Sequence, residues 1–390
     1  MENDFYWFWL CNISGIGCKK IKAILDYFHD AKSVYHAGKS TFSHIKGLYQ
    51  KDIDRLIKSK DDVSIYDAFE KMRHTNIQFV HIKKDTYPSK LRELYDAPAC
   101  LYVRGRLPNP KRVSVAIIGA RNCTEYGKNV ASILGEHFAH MGIQVISGMA
   151  AGIDTAGHKG CLAGDGYTCA VLGCGVDICY PSQNIELFSN IIQNGGVLSE
   201  YPMGTKPIPS NFPVRNRIIS GLADVIIVVE ARKKSGSLIT VDLALEQNKE
   251  VMAVPGRIGD VLSEGCNELI KQGAMVLTNP NDIKLVRVVE KWIKDNETDK
   301  MACRDFIEMG FVKKDFIKKD SVKNKCEKVN VLASEKNMLY SLLGLSPISL
   351  EEIVRQSGLD IPRTIEVLLE LQLNGYIKEV GQNCYIRNDL

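Results

Sequence analysis

Residues 115–127 read "VAIIGARNCTEYG": an apolar strand, a glycine turn and the start of a helix. Strand, glycine turn and helix together make the phosphate corner of Rossmann-like sheets, because the first turn of the helix offers unpaired N–H groups to an anion. A dinucleotide corner requires G-x-G-x-x-G, whose second glycine lets the backbone touch a pyrophosphate. Arg121 stands in that place. Its guanidinium fills the space and can instead grip a phosphate with two parallel hydrogen bonds. Nor does the next strand, ending in "ISGMAAGIDTAGHKG", supply an acid for a ribose hydroxyl. The corner keeps its phosphate logic and loses its nucleotide cofactor, so no cofactor is expected.

Outward from this corner the texture is regular. "IQVISG", "YTCAVLG", "GVLSE", "DVIIVVE" and "EVMAVPG" follow in turn, each trailed by a polar or glycine turn and a helical stretch. Continuous apolar strands alternating with helices imply a parallel sheet covered on both faces. The fold class is therefore α/β, with an extended Rossmann-like parallel sheet over 113–286. Ligands of such sheets bind outside the carboxyl ends of the strands.

The flanks differ. Residues 1–75 read as short helices, with Ile16, Ile21, Ile24, Leu25 and Phe28 at helical spacing after the Gly15 and Gly17 turn. This is a helix-hairpin-helix or SAM-like pattern, whose turn either holds a phosphate or simply packs. Residues 76–112 are expected as a connector, with a short helix between Pro88 and Pro98 before the strand-like "CLYVRG". Residues 287–332 read as a basic, solvated linker, and 333–390 as three helices and a hairpin, a winged helix. Its would-be recognition helix sets Arg363 against Glu366 and Glu370, which favours a protein contact over duplex DNA.

Composition narrows the function. A chain of 390 residues with 45% hydrophobic and 25% charged residues can bury several cores. Its net charge of +4 is too small for bulk attraction to nucleic acid, so any basic site must be local. The start, "MENDFYWFWLCN", has acids where a signal peptide needs bases, and no apolar run approaches a membrane span. A cytoplasmic protein is expected. The 12 cysteines are scattered and the 8 histidines do not cluster with them, which argues for reduced thiols and no metal.

The strand ends supply the candidate residues. Gly119, Gly148, Gly173 and Gly175 mark the first three turns, with Arg121 in the first and His158 and Lys159 on the helix after the second. Those two either face a ligand or form the polar side of that helix. The fourth strand leads through a proline-rich loop to Arg215, Asn216 and Arg217 at the head of a helix, an anion-binding constellation. One of these arginines could instead pair with a carboxylate such as Glu230. After the fifth strand, Ser235, Gly236, Ser237 and Thr240 offer hydroxyls and N–H groups. The acids Asp154, Asp177 and Glu200 stand singly, and no nucleophile–base pair assembles, so catalysis is not expected. A row of anion-receptive turns without a base suits a polyanionic strand.

The run "GARNCTEYG … SGMAAGIDTAGHKG … LGCGVDICYPSQN … SEYPMGTKPIPSNFPVRNRIISGLADVIIVVEARKKSGSLIT … VPGRIGDVLSEGCNELIKQGA", with "YPSKLRELYDAPACLYVRG" upstream, resembles the DNA-processing protein A (DprA/Smf) family nearly throughout. The resemblance implies a homodimer that binds single-stranded DNA and passes incoming strands to the RecA recombinase in natural transformation. It places a DNA-contacting arginine at Arg121, the F-P-x-R-N-R motif at Phe212 to Arg217, and the S-G-[ST]-L-I-T motif at Ser235 to Thr240. Relatives often carry a base after the Tyr-Pro of the third turn, where Ser182 stands here; Lys159, Lys206 or Lys233 could compensate. A more distant resemblance is to nucleotide-monophosphate phosphoribohydrolases. Their P-G-G-x-G-T-x-x-E loop corresponds to "SGSLITVDL", which lacks the paired glycines and puts Leu243 near the place of the acid. A winged-helix regulator with an α/β sensor is the third reading.

Overall fold

The computed structural model describes residues 2–296 and, within 335–387, all but 337, 341, 344–346, 374, 375 and 382. The chain opens on α1 (Glu2–Asn12), whose Trp7, Phe8, Trp9 and Leu10 are all buried. The Trp9 indole N–H donates to the Ser59 carbonyl at 3.1 Å, satisfying its one polar atom inside the core. Around α1 fold α2 (Cys18–Phe28), α3 (Ala31–His36), α4 (Lys39–Phe42), α5 (Gln50–Lys58) and α6 (Val63–Arg73). Ile21, Ile24 and Leu25 of α2 face inward as their spacing predicts. Gly15, at φ +80°, lies against Arg55: a Cβ there would sit 2.3 Å from its guanidinium.

The segment expected as a connector belongs to the sheet. β1 (Gln78–His81) pairs antiparallel with β2 (Cys100–Gly105), and β2 pairs antiparallel with β6 (Gly196–Ser199). The short helix α7 (Ser89–Arg92) lies between β1 and β2. β1 carries little sequence signal, because "QFVH" is brief and lies at the sheet edge, where alternation is weak.

The six strands expected in the central domain all form. They are β3 (Ser114–Ile118), β4 (Gln144–Ser147), β5 (Thr168–Val171), β6, β7 (Val225–Val228) and β8 (Glu250–Ala253). They are joined by α8 (Glu125–His140), α9 (Ile153–Ala163), α10 (Ile185–Asn194), α11 (Asn211–Leu222) and α12 (Gly236–Glu246). α13 (Glu264–Lys271) and a two-residue strand β9 (Met275–Val276) complete a nine-stranded sheet of order β1-β2-β6-β5-β4-β3-β7-β8-β9. From β3 the order runs one way through β4, β5 and β6, and the other way through β7, β8 and β9. The switch point therefore falls between β3 and β7, where a crevice opens at the carboxyl ends.

α8 and α9 pack on one face of this region with Ile117, Val145 and Phe138, while α11, α12 and α13 cover the other with Ile118, Val228 and Val241. The small residues of α9 serve this packing. A Cβ at Gly160 would lie 2.0 Å from the Ser132 carbonyl oxygen of α8, so glycine sets how closely the two helices cross. α14 (Arg287–Asp295) extends the same layer through buried Val289, so the first residues assigned to a linker are helical. The lysine-rich remainder of that expected linker lies outside the described residues.

In the tail, β10 (Ile348–Ser349), α15 (Leu350–Ser357), α16 (Ile361–Leu373), β11 (Ile377–Glu379) and β12 (Cys384–Arg387) form a winged helix with strand order β10-β12-β11. The first of its three expected helices falls partly outside the described residues. No helix among the described residues is long and apolar enough to cross a membrane.

Candidate nucleic-acid interface

A groove of about 570 Å³ opens at the switch point between β3 and β7. The turn after β3 forms one wall. Ala120 N–H donates to the Glu230 carbonyl at 2.7 Å, and Thr124 N–H donates to the Glu230 carboxylate at 2.9 Å. The turns after β3 and β7 are thereby tied together, and Thr124 Oγ1 caps α8 by accepting from Gly127 N–H. With Glu230 so engaged, Arg121 is left exposed, its guanidinium 5.4 Å from the Phe212 ring centroid.

Phe212 is the second wall. It stands in the first turn of α11, 5.4 Å from the Tyr180 ring at an interplanar angle of 36°. Arg121, Phe212 and Tyr180 thus form a mixed cationic and aromatic edge. The third wall is the start of α12, where Ser235 caps the helix by accepting from Ser237 N–H at 3.3 Å. Gly236 is exposed, Thr240 is buried at the base, and Asn216 Nδ2 makes a long 3.5 Å contact to the Gly236 carbonyl. Exposed Arg232 and Lys234 complete the rim.

The two α11 arginines do not stand free. Arg215 lies under the groove, 4% exposed, and donates to the Gly148 carbonyl at 2.9 Å and to the Val171 carbonyl. Burial, with the like charge of Arg121, pushes its guanidinium down to about 10 despite the opposing Asp154. Asp154 accepts from the N–H groups of Gly148 at 3.1 Å and Ala150 at 3.3 Å, and burial pushes its carboxyl up. Arg215 therefore lends the groove a positive floor while its hydrogen bonds tie α11 to the ends of β4 and β5.

Arg217 points away. It meets Glu200 at 2.6 Å and Asp96 at 3.1 Å, and is also 4% exposed. Burial opposes its charge, but those two carboxylates outweigh burial and hold the guanidinium protonated above its ordinary value. The expectation that Arg217 holds a phosphate gives way to a buried ion pair. Its partner is Glu200, not the Glu230 suggested by the sequence.

The second and third turns are closed as well. Gly148 is buried beneath Arg215, and its N–H is taken by Asp154. Gly173 lies against the Phe212 ring, and Gly175 N–H donates to the Thr205 carbonyl of the proline-rich loop at 2.9 Å. His158 is buried with Nδ1 2.6 Å from Thr168 Oγ1, while Lys159 is exposed but outside the groove lining. So Gly119, Arg121, Arg215, Asn216, Ser235, Gly236 and Thr240 come together, whereas Gly148, Lys159, Gly173, Gly175 and Arg217 do not. Tyr180, Arg232 and Lys234 also line the groove, beyond the residues expected from the sequence. The cations were visible in "EARKKSG", but one tyrosine in a loop carries no signal until its neighbour Phe212 is placed beside it.

Fold and site together define a Rossmann-like α/β protein with an anion-receptive groove at its switch point, flanked by a helical module and a winged helix. Residues 78–286 match the family model "DNA recombination-mediator protein A", and 328–383 match "DprA winged helix domain". Protein Smf of Synechocystis is 30% identical over 382 residues, covering 96% of both chains. The DNA processing protein DprA of Streptococcus pneumoniae is 41% identical over 224 residues, 57% of this chain and 77% of the relative. An X-ray structure of the S. pneumoniae protein superposes with a TM-score of 0.65 at 34% identity, over 72% of this chain and 97% of that one. DNA processing protein A of Helicobacter pylori, in a structure described for its single-stranded DNA binding mode, gives a TM-score of 0.50 at 31% identity, over 57% of this chain and 98% of that one. The chain belongs to the DNA processing protein A (DprA/Smf) family, a family of DNA recombination mediators.

Proposed function

We propose that the switch-point groove holds the backbone of single-stranded DNA, and that the protein, as a homodimer in the cytoplasm, protects incoming strands and delivers them to RecA without itself acting as an enzyme. One observation carries this reading: an exposed arginine, in no salt bridge among the described residues, stands on an aromatic edge formed by Phe212 and Tyr180. Charge beside a half-exposed aromatic edge suits a single strand, whose phosphates and unstacked bases are both accessible, better than a duplex. Arg232, Lys234 and the start of α12 supply further anion contacts. The single-stranded DNA binding described for the H. pylori relative supports the same reading. The strand is held at this groove rather than along the whole row of strand ends, since the Gly148, Ala150 and Gly175 N–H groups are engaged.

The phosphoribohydrolase reading finds little support, because Asp154, the carboxylate lining the groove, already accepts two backbone N–H groups. Incubation with AMP, followed by chromatography, is expected to release no adenine.

The direct test is fluorescence anisotropy with matched single- and double-stranded oligonucleotides. Wild type is expected to favour the single strand. Arg121→Ala is expected to lose about 1.5–3 kcal/mol of affinity and to flatten the log–log salt slope by about 0.7. Unchanged affinity and slope in Arg121→Ala would falsify the groove assignment. Sizing of the complex checks the dimer, and RecA filament assembly on a bound strand checks delivery.

A further inference from the structure

We infer that a single strand leaving the switch-point groove continues onto the N-terminal helical module, where Tyr95, Lys19 and Lys22 form a second contact. The inference rests on the groove reading above. Tyr95 is 77% exposed, one of the most exposed aromatic side chains among the described residues. Its ring lies 5.5 Å from Lys19 Nζ and 5.3 Å from Lys22 Nζ, and Lys22 Nζ also donates to the Tyr95 carbonyl at 3.3 Å. The two lysines stand one turn apart on α2, and among the described residues neither is in a salt bridge. Lys20, between them, is held by Asp52 at 2.7 Å. Asp26, one turn beyond Lys22, ends the basic stripe.

An exposed ring held by two otherwise unengaged ammonium groups has the composition of a single-strand contact. A base takes the ring by stacking while the flexible lysines swing to the phosphates on either side.

The patch is tied to the groove helix α11 from the side that faces away from the groove. Asp96, the residue after Tyr95, pairs with Arg217, and Cys18, the first residue of α2, lies 3.9 Å from the same guanidinium. Arg217 in turn follows Asn216, which lines the groove. The buried arginine thus ties three elements together: the groove helix α11, the loop that presents Tyr95, and the start of α2. It acts as a positioning residue that fixes the second contact relative to the first.

The test uses the full chain with a 20-nucleotide oligothymidylate. Tyr95→Ala is expected to weaken binding at least about fivefold with little change in salt slope, as loss of one stacked base would. Lys19→Ala combined with Lys22→Ala is expected to flatten the slope by about 1.4, two phosphate contacts at the single-strand value. All three side chains are exposed, so thermal melting serves as the folding control and should not move. A 4-thiothymidine-substituted strand should photocrosslink to the peptides bearing Tyr95 and Phe212. If Arg121→Ala weakens binding and Phe212 crosslinks while the patch variants bind as wild type, the second contact is wrong and the groove stands. If Arg121→Ala also binds as wild type and Phe212 fails to crosslink, the groove reading itself fails.

Discussion

Arg217 grips Glu200 side by side, Nη2 2.6 Å from Oε2 and Nη1 3.1 Å from Oε1, in a site that leaves the arginine side chain 5% exposed. A pair this buried makes removal of one partner costly, because the other charge is left in low dielectric without its counter-ion. Arg217→Ala should therefore destabilise the fold by about 3 kcal/mol or more, seen as a lower urea midpoint. Arg121→Ala, at an exposed site, should leave that midpoint within about 0.5 kcal/mol of wild type. Equal stability of the two variants would return Arg217 to the list of free phosphate contacts.

Phe212 separates stacking from charge. Phe212→Leu keeps apolar volume against Gly173 but removes the π-face between Arg121 and Tyr180. Loss of one stacked base is worth about 1–3 kcal/mol, so affinity for single-stranded DNA should fall while the salt slope holds. A slope that flattened as much as in Arg121→Ala would mean that Phe212 acts mainly by placing the arginine.

Gly152 holds the first two turns together. Its φ is +83°, and a Cβ there would lie 2.3 Å from the Ala120 carbonyl oxygen and 2.4 Å from that of Arg121. Gly152→Ala thus meets backbone strain and two fixed oxygens at once, for a cost of about 2–4 kcal/mol. The turn that presents Arg121 must shift to relieve the clash. Oligonucleotide affinity and melting temperature should drop together in this variant, and a variant that melts like wild type would show that the turn yields freely.

His158 gives a pH signature. It is fully buried between Thr168 and the charge of Arg215, and burial followed by that charge pushes its pKa down to about 3 from 6.5. The unfolded chain then holds the proton more tightly than the native one, so stability is intact above about pH 6.5 and declines as pH falls toward 3. Between pH 7 and pH 5 the expected loss is about 2 kcal/mol from this residue. Urea titrations at the two pH values should show it, and His158→Gln should reduce the difference. An identical pH dependence in that variant would assign the loss to other groups, His81 among them.

Much of the fold was legible in the chain. The six central strands are buried almost throughout, so most of their residues read as apolar runs, and a polar or glycine turn marks where each ends. Arg121 in the first corner was legible as a departure from the dinucleotide pattern, because glycine there is a steric requirement. β1 and α14 were less legible, being short or at the margins, where periodicity has too few residues to register.

The local sequence determined which residues could meet an anion: arginines, hydroxyls and glycine turns at the ends of strands. Tertiary structure decided which of them remain free to do so. Arg215 and Arg217 are two residues apart on one helix, yet one lies beneath the groove and the other beside Glu200 and Asp96. The partners that claim them come from β4, β5, β6 and the loop before β2. Spacing along the chain records which side chains exist, but whether a charge faces water or a carboxylate depends on which distant backbone folds against it.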